Sequence, residues 1–177
     1  MIGGSAGIGL ETARRARAED ADVILTGRNP DRLRKAALEL GAHRTATFDA
    51  NDAASLERFF QDLPTPIDHV MVTAGGPRYG PLLEMDSAQV RQAISEHVVL
   101  ALEVARNAAV KMRPGGTLLL MGGTGGRRVG HGLGIVSAAT AALPPFTAAL
   151  ALELAPVRVN SAASSVPPTS PRSPSTS

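Results

Sequence analysis

The 177-residue sequence predicts a doubly wound parallel α/β sheet, and three observations carry that expectation. Short apolar runs alternate with longer stretches of helical character along most of the chain. Strong turn signals, such as Asn29-Pro30-Asp31 and Gly41, punctuate the alternation. The chain also opens with Ile2-Gly3-Gly4-Ser5-Ala6-Gly7-Ile8-Gly9-Leu10, a glycine turn that normally closes a strand and starts a helix. Only Met1 and Ile2 precede that turn, so the predicted sheet lacks its first strand.

The elements follow in order. A helix is predicted from Ile8 to Ala18 and a buried strand over Val23-Ile24-Leu25-Thr26. Asn29 is an N-cap residue, Pro30 suits a first helical turn and Asp31 lies near the positive end of the dipole. That helix runs to Leu40, and Gly41 stops it. Arg44–Phe48 reads as a strand, Asp52–Leu63 as a helix and Val70–Val72 as a strand ending in Thr73-Ala74-Gly75-Gly76. A long helical region spans Asp86 to about Lys111. Thr117–Met121 is a strand, Leu133–Leu154 a long helix and Val157–Val159 a short strand. One domain is expected over residues 1–160. Residues 161–177 are dominated by serine and proline, have little to bury and are expected to form a disordered tail.

Composition narrows the function classes. The chain is 44% hydrophobic and 19% charged, as in an ordinary globular protein. A formal charge of +2, with no basic run interleaved with aromatics, argues against a nucleic-acid partner. The absence of cysteine excludes disulfides, zinc fingers and thiol catalysis. No stretch reads as a membrane span or signal segment, which leaves the cytoplasm as the expected compartment.

The spacing Gly3-x-x-x-Gly7-x-Gly9 has a physical logic. One glycine permits a tight turn, another lets backbone N–H groups approach a pyrophosphate, and the last lets helix pack closely on sheet. Phosphates then sit at a helix N-terminus, where unpaired N–H groups and the dipole favour negative charge. Gly3, Ser5, Ala6, Gly7, Ile8 and Gly9 are the candidate residues.

From Ile2 to Asn160 the chain resembles a short-chain dehydrogenase/reductase. This Rossmann-fold family moves hydride between a nicotinamide cofactor and carbonyls or alcohols. The resemblance rests on segments in the family's order and spacing: Gly3 to Gly9, Thr26-Gly27-Arg28, Asp49-Ala50, Thr73-Ala74-Gly75, Gly115-Gly116-Thr117-Leu118-Leu119-Leu120, and Ala151-Leu152-Glu153-Leu154-Ala155 before Val157-Arg158-Val159-Asn160. In NAD-preferring relatives an acid about 20 residues beyond the glycines binds the ribose 2′-hydroxyl. Here Gly27 stands there, followed by Arg28, whose guanidinium can pair with a 2′-phosphate. The cofactor expected is NADP(H). The resemblance implies that Asp49, with Ala50, meets the adenine, and that Ala74-Gly75 lets backbone pass close to a ribose. For Asp49, a helix-capping role just before Asn51 and Asp52 stands beside that one.

The resemblance also locates four departures. The family's proton donor is a Tyr, with a Lys four residues later on the same helix and a Ser thirteen residues earlier. In register, these places hold Val136, Thr140 and Gly123, and the family's helical Asn aligns with His97. Valine cannot exchange a proton, and loss of a positioned acid costs about 10²–10⁴ in rate. Ordinary carbonyl reduction is therefore not expected unless water, or one of Thr124, His97, His131, Arg127 and Tyr79, supplies the proton. At its ends the chain lacks the family's first strand and, after Asn160, its closing turn and strand. Both departures suggest a partial gene product or a misassigned start.

Three functions remain open: an atypical NADP(H)-dependent oxidoreductase acting on a small carbonyl or alcohol, a non-catalytic NADP(H)-binding protein, and an inactive fragment. By resemblance, helices Asp86–Lys111 and Leu133–Leu154 would pair in a homodimer or tetramer, with Ala138-Ala139 and Ala148-Ala149 permitting close approach.

Overall fold

Each strand-to-helix unit forms where its local chemistry directs. A computed structural model describes residues 1–63, 66–127 and 130–164. Helix α1 is Gly7–Ala18, strand β1 Ile24–Gly27, and helix α2 Pro30–Leu40. Asn29 Oδ1 accepts from the Arg32 N–H at 2.9 Å, and Gly41 ends the helix at φ +58°. Strand β2 is Arg44–Thr47, and helix α3 is Ala53–Gln61. The Asp52 carboxylate caps α3 by accepting from the Ala54 N–H at 3.2 Å. Strand β3 is Ile67–Val72.

The long helix expected over Asp86–Lys111 is broken into three parts. Helix α4, Ser87–Ile94, begins with a reciprocal capping box between Asp86 and Gln89. A π-helical turn, Ser95–Val99, follows, and helix α5, Leu100–Ala109, completes the run. The next strand starts earlier than expected: β4 is Met112–Gly123. Helix α6, Gly134–Glu153, leads to β5, Arg158–Ser164.

The boundary expected at residue 160 moves. Ser161–Ser164 continue β5, because Leu120–Gly123 of β4 provide a parallel partner for each of them. Tertiary pairing overrides their weak strand composition. The rest of the Ser/Pro segment, residues 165–177, lies outside the described residues.

Two parallel pieces make the sheet: β1 with β2, and β3-β4-β5 in that order. The opening residues join them. Ile2 N–H donates to Met71 O at 2.8 Å, and Thr73 N–H donates back to Ile2 O at 2.8 Å. On the opposite side, Thr26 N–H donates to Met1 O at 3.0 Å and Gly4 N–H to Thr26 O at 2.9 Å. Residues 1–4 thus form a short extended stub between β1 and β3. The order across the sheet is β2-β1-stub-β3-β4-β5. The Met1 amine is itself buried against Ile24 O, which lowers its pKa to about 6 by desolvation.

Two apolar clusters hold the helices. Ala13, Val23, Leu25, Leu33, Ala36 and Leu40 pack α1 and α2 against β1. A larger cluster packs α3, α5 and α6 against β3–β5, centred on Leu56, Phe60, Val104, Leu118 and Leu120. Ile2, only 1% exposed, belongs to the larger one. The central position of the stub places the glycine turn at the carboxyl edge of the sheet, where ligands of such sheets bind.

Candidate active site

A cavity of about 1060 Å³ opens at that edge. One wall is Ala6, Gly7, Ile8 and Gly9, with Thr73, Ala74 and Gly75 beside them. The other wall is Gly122–Gly125 at the end of β4 together with Val136, Thr140 and Leu143 of α6. Glu96 and His97, in the π-helical turn, close it from above β3, and Tyr79 stands at the mouth.

The glycine wall is held by close backbone approach. Gly3 has φ +95°, and a Cβ there would lie 2.6 Å from Ala74 N. A Cβ on Gly9 would lie 2.5 Å from both Gly3 O and Thr73 Oγ1. Side chains are therefore excluded where α1 meets the end of β3. Thr73 Oγ1 donates to Gly3 O at 2.8 Å and locks the turn onto β3.

Helix α1 differs from α2, α3 and α4 at its start. Ala6 at its N-cap offers no side-chain acceptor, whereas Asn29, Asp52 and Asp86 cap the other three. The first-turn N–H groups of α1 thus have no side-chain cap, and the residues that carry them line the cavity. This arrangement fits a phosphate-bearing cofactor.

The end of β1 completes the nucleotide side. A Cβ on Gly27 would lie 2.8 Å from Ser5 Oγ, so the Ser5 hydroxyl occupies the space a side chain there would need. Arg28 is exposed and makes no hydrogen bond or ion pair among the described residues. Asp49 is exposed and off the cavity wall, and its Oδ1 accepts from Asn51 N–H at 3.0 Å and from Asn51 Nδ2 at 3.1 Å. This is a local turn and not the helix cap expected of Asp49: Asp52 caps α3 instead, and Asp49 Oδ2 has no partner among the described residues. Ala50 is buried in the larger cluster rather than on the wall.

Val136, Thr140, Gly123 and His97 all line the cavity, so the register read from sequence brings these four positions together. The Thr140 hydroxyl is engaged: it donates to Val136 O at 2.8 Å and reaches Ser137 O at 3.2 Å. Thr124 lies on the wall, whereas His131 is exposed and is not among its residues. The Arg127 side chain lies outside what the structure describes.

Sequence reasoning missed two features. Glu96, with an 11% exposed side chain, accepts from Arg78 Nη2 and from Gln92 Nε2, each at 2.9 Å. Arg78 lies 18 residues from Glu96, and no local pattern links them. The π-helical turn is the second; it tethers Gly75 tightly, since a Cβ there would be 2.5 Å from Glu96 O.

Comparison with known proteins agrees with this geometry. The sequence profile described as Enoyl-(Acyl carrier protein) reductase matches residues 3–174. Short-chain dehydrogenase/reductase ATR9 of Stachybotrys chlorohalonatus is 30% identical over 90% of the chain and 69% of that protein. Carbonyl reductase family member 4 of Xenopus tropicalis is 27% identical over 90% of the chain and 71% of that protein. The crystal structure of BdcA in complex with NADPH superposes with a TM-score of 0.83 at 26% identity, over 90% of this chain and 66% of that one. A Serratia marcescens short-chain dehydrogenase/reductase gives 0.84 at 26% identity, over 90% of this chain and 69% of that one. With the glycine turn, the strand order and the cavity in place, the chain belongs to the short-chain dehydrogenase/reductase family of oxidoreductases.

Proposed function

We propose that the protein binds NADP(H) in this cavity and acts on a carbonyl or alcohol without the family's Ser-Tyr-Lys set. The observation that carries the cofactor reading is Arg28, exposed and unpartnered among the described residues and next in chain to Gly27, which packs against Ser5 of the glycine turn ahead of the uncapped α1. A carboxylate at Gly27 would repel a 2′-phosphate and crowd Ser5, whereas the Arg28 guanidinium is available to pair with it. BdcA, a structural neighbour, is seen with NADPH, which supports the same preference. The α1 N–H groups would hold the pyrophosphate, and Ala74-Gly75 would allow backbone to pass a ribose. A bound nicotinamide supplies or accepts hydride.

The chemistry wall supports the second half of the proposal. Val136 and Thr140 occupy the α6 positions of the family's Tyr and Lys, Gly123 that of the Ser, and His97 that of the Asn. On α6, Ala138, Ala148 and Ala149 are exposed while Ala139 is fully buried. The exposed three are the ones open to the self-association proposed by resemblance.

Titrating NADPH and NADH into wild type and Arg28→Ala tests the cofactor reading. Wild type is expected to prefer NADPH by roughly 1.5–3 kcal/mol, the range for hydrogen bonds to charged groups. Arg28→Ala is expected to lose that preference with NADH affinity unchanged. Equal affinities in wild type would refute it.

A further inference from the structure

We propose that His97 is the group that hands the proton to, or takes it from, the substrate oxygen at this site. The inference rests on the oxidoreductase reading above and names the residue that would complete it.

The geometry points to His97 by elimination and by presentation. Thr73 and Thr140 spend their hydroxyl protons on Gly3 O and Val136 O. Thr124 carries an alcohol that does not ionise near neutrality. Glu96 is tied to Arg78 and Gln92. Tyr79 is 63% exposed at the mouth. His97 is half-buried on the wall, and imidazole is the one side-chain type here that ordinarily exchanges a proton near neutral pH.

Its ring is also oriented. Nδ1 lies 3.0 Å from Ala93 O, and a carbonyl only accepts, so Nδ1 carries hydrogen. That contact fixes the tautomer of the neutral ring, and Nε2 has no partner among the described residues. The π-helical turn Ser95–Val99 has His97 at its centre, a local widening that recurs at functional sites. The charged or titratable groups around it are Glu96, paired with Arg78, and Tyr79. Facing α6 carries no titratable residue before Glu153.

A bound nicotinamide would supply the hydride to the carbonyl carbon in reduction and, in its oxidised form, would take the hydride back from the alcohol carbon. The part of this chain is the proton: in reduction the Nε2–H bond of protonated His97 breaks as the substrate oxygen takes the proton, leaving an alcohol and neutral His97, which solvent reprotonates. In oxidation neutral Nε2 accepts the hydroxyl proton as the hydride leaves the same substrate's carbon for the oxidised nicotinamide.

The test follows the four imidazoles by NMR across pH 5–9, with and without saturating NADPH, with His97 assigned by His97→Gln. NADPH is expected to move the titration of His97 and to leave exposed His43 unmoved. Turnover of ethyl acetoacetate and benzaldehyde with NADPH is expected to fall as pH rises through the His97 midpoint. His97→Gln should drop it about 10²-fold or more at unchanged NADPH affinity, with His43→Gln as control. His97→Asn, the other amide, guards against a folding defect in one variant. Failure of wild type to bind NADPH would sink the cofactor reading. NADPH binding without any effect on His97 titration, without turnover, or with turnover unaffected by both His97 variants would overturn the His97 proposal alone.

Discussion

The two walls of the cavity are built by different means. The glycine wall works through backbone: Gly3 and Gly9 permit contacts that no side chain could share, and the N–H groups of α1 face the cavity without a side-chain cap. The facing wall, from β4 and α6, offers side chains, and those it offers are chemically quiet. Val136 is apolar, Gly123 has no side chain, and the Thr140 hydroxyl is turned back onto its own helix. Binding geometry made of backbone survives wide sequence change, because only glycine and small residues are required at a few points. Proton transfer depends on one functional group at one place, and a single substitution removes it.

The largest effect expected from this contrast is on the quiet wall. In a His97→Gln background, Val136→Tyr with Thr140→Lys and Gly123→Ser should raise NADPH-dependent turnover by about 10²–10⁴, the worth of a positioned acid. A Cβ at Gly123 meets nothing closer than Thr140 Cγ2 at 3.4 Å, so the serine fits. A stopped-flow or absorbance assay of NADPH loss reads the gain, and no gain in the folded quadruple variant would mean the two walls are not aligned as the register implies.

Next comes a pair of glycines, one from each wall. Gly9→Ala should cost about 1–3 kcal/mol, because its methyl would drive α1 away from Gly3 and Thr73. It should weaken NADPH binding as well. Gly123→Ala should stay within about 0.5 kcal/mol, the usual range for a substitution that finds room. Urea denaturation compares them, and equal costs would break the distinction.

The smallest effect concerns the helix starts. Asn29→Ala should cost about 1 kcal/mol by removing the acceptor for Arg32 N–H. It should leave NADPH affinity unchanged, since α2 is capped by the protein itself. A matching loss of cofactor affinity on calorimetric titration would show that α2, not only α1, shapes the nucleotide site.

Much of the architecture was legible because it depends on local signals. Asn29-Pro30 and Gly41 delimit α2, and Asp52 starts α3, as caps and stops that act over a few residues. The π-helical turn was not legible, since Asp86–Ala109 reads as uninterrupted helix and nothing in Ser95–Val99 marks a change of hydrogen-bond spacing. The extension of β5 over Ser161–Ser164 was hidden for a similar reason: its partner, Leu120–Gly123, lies some forty residues earlier. On the site, the glycine turn was readable from spacing, and the Val136, Thr140 and Gly123 positions from the family resemblance. The Arg78–Glu96 pair and the Nδ1 contact of His97 were not.

By itself, then, the amino-acid order determined most of the helices and strands, where the glycines must stand, and that Gly27-Arg28 carries no acid. These follow from periodicity, capping and conformational freedom, all properties of short stretches. Only the tertiary structure decided that Met1–Gly4 stitch β1 to β3, that Asp49 Oδ1 serves its own turn, and that His97 Nδ1 meets Ala93 O. Each of these depends on a contact, local or distant, that residue types permit but do not specify, and packing selects among the alternatives.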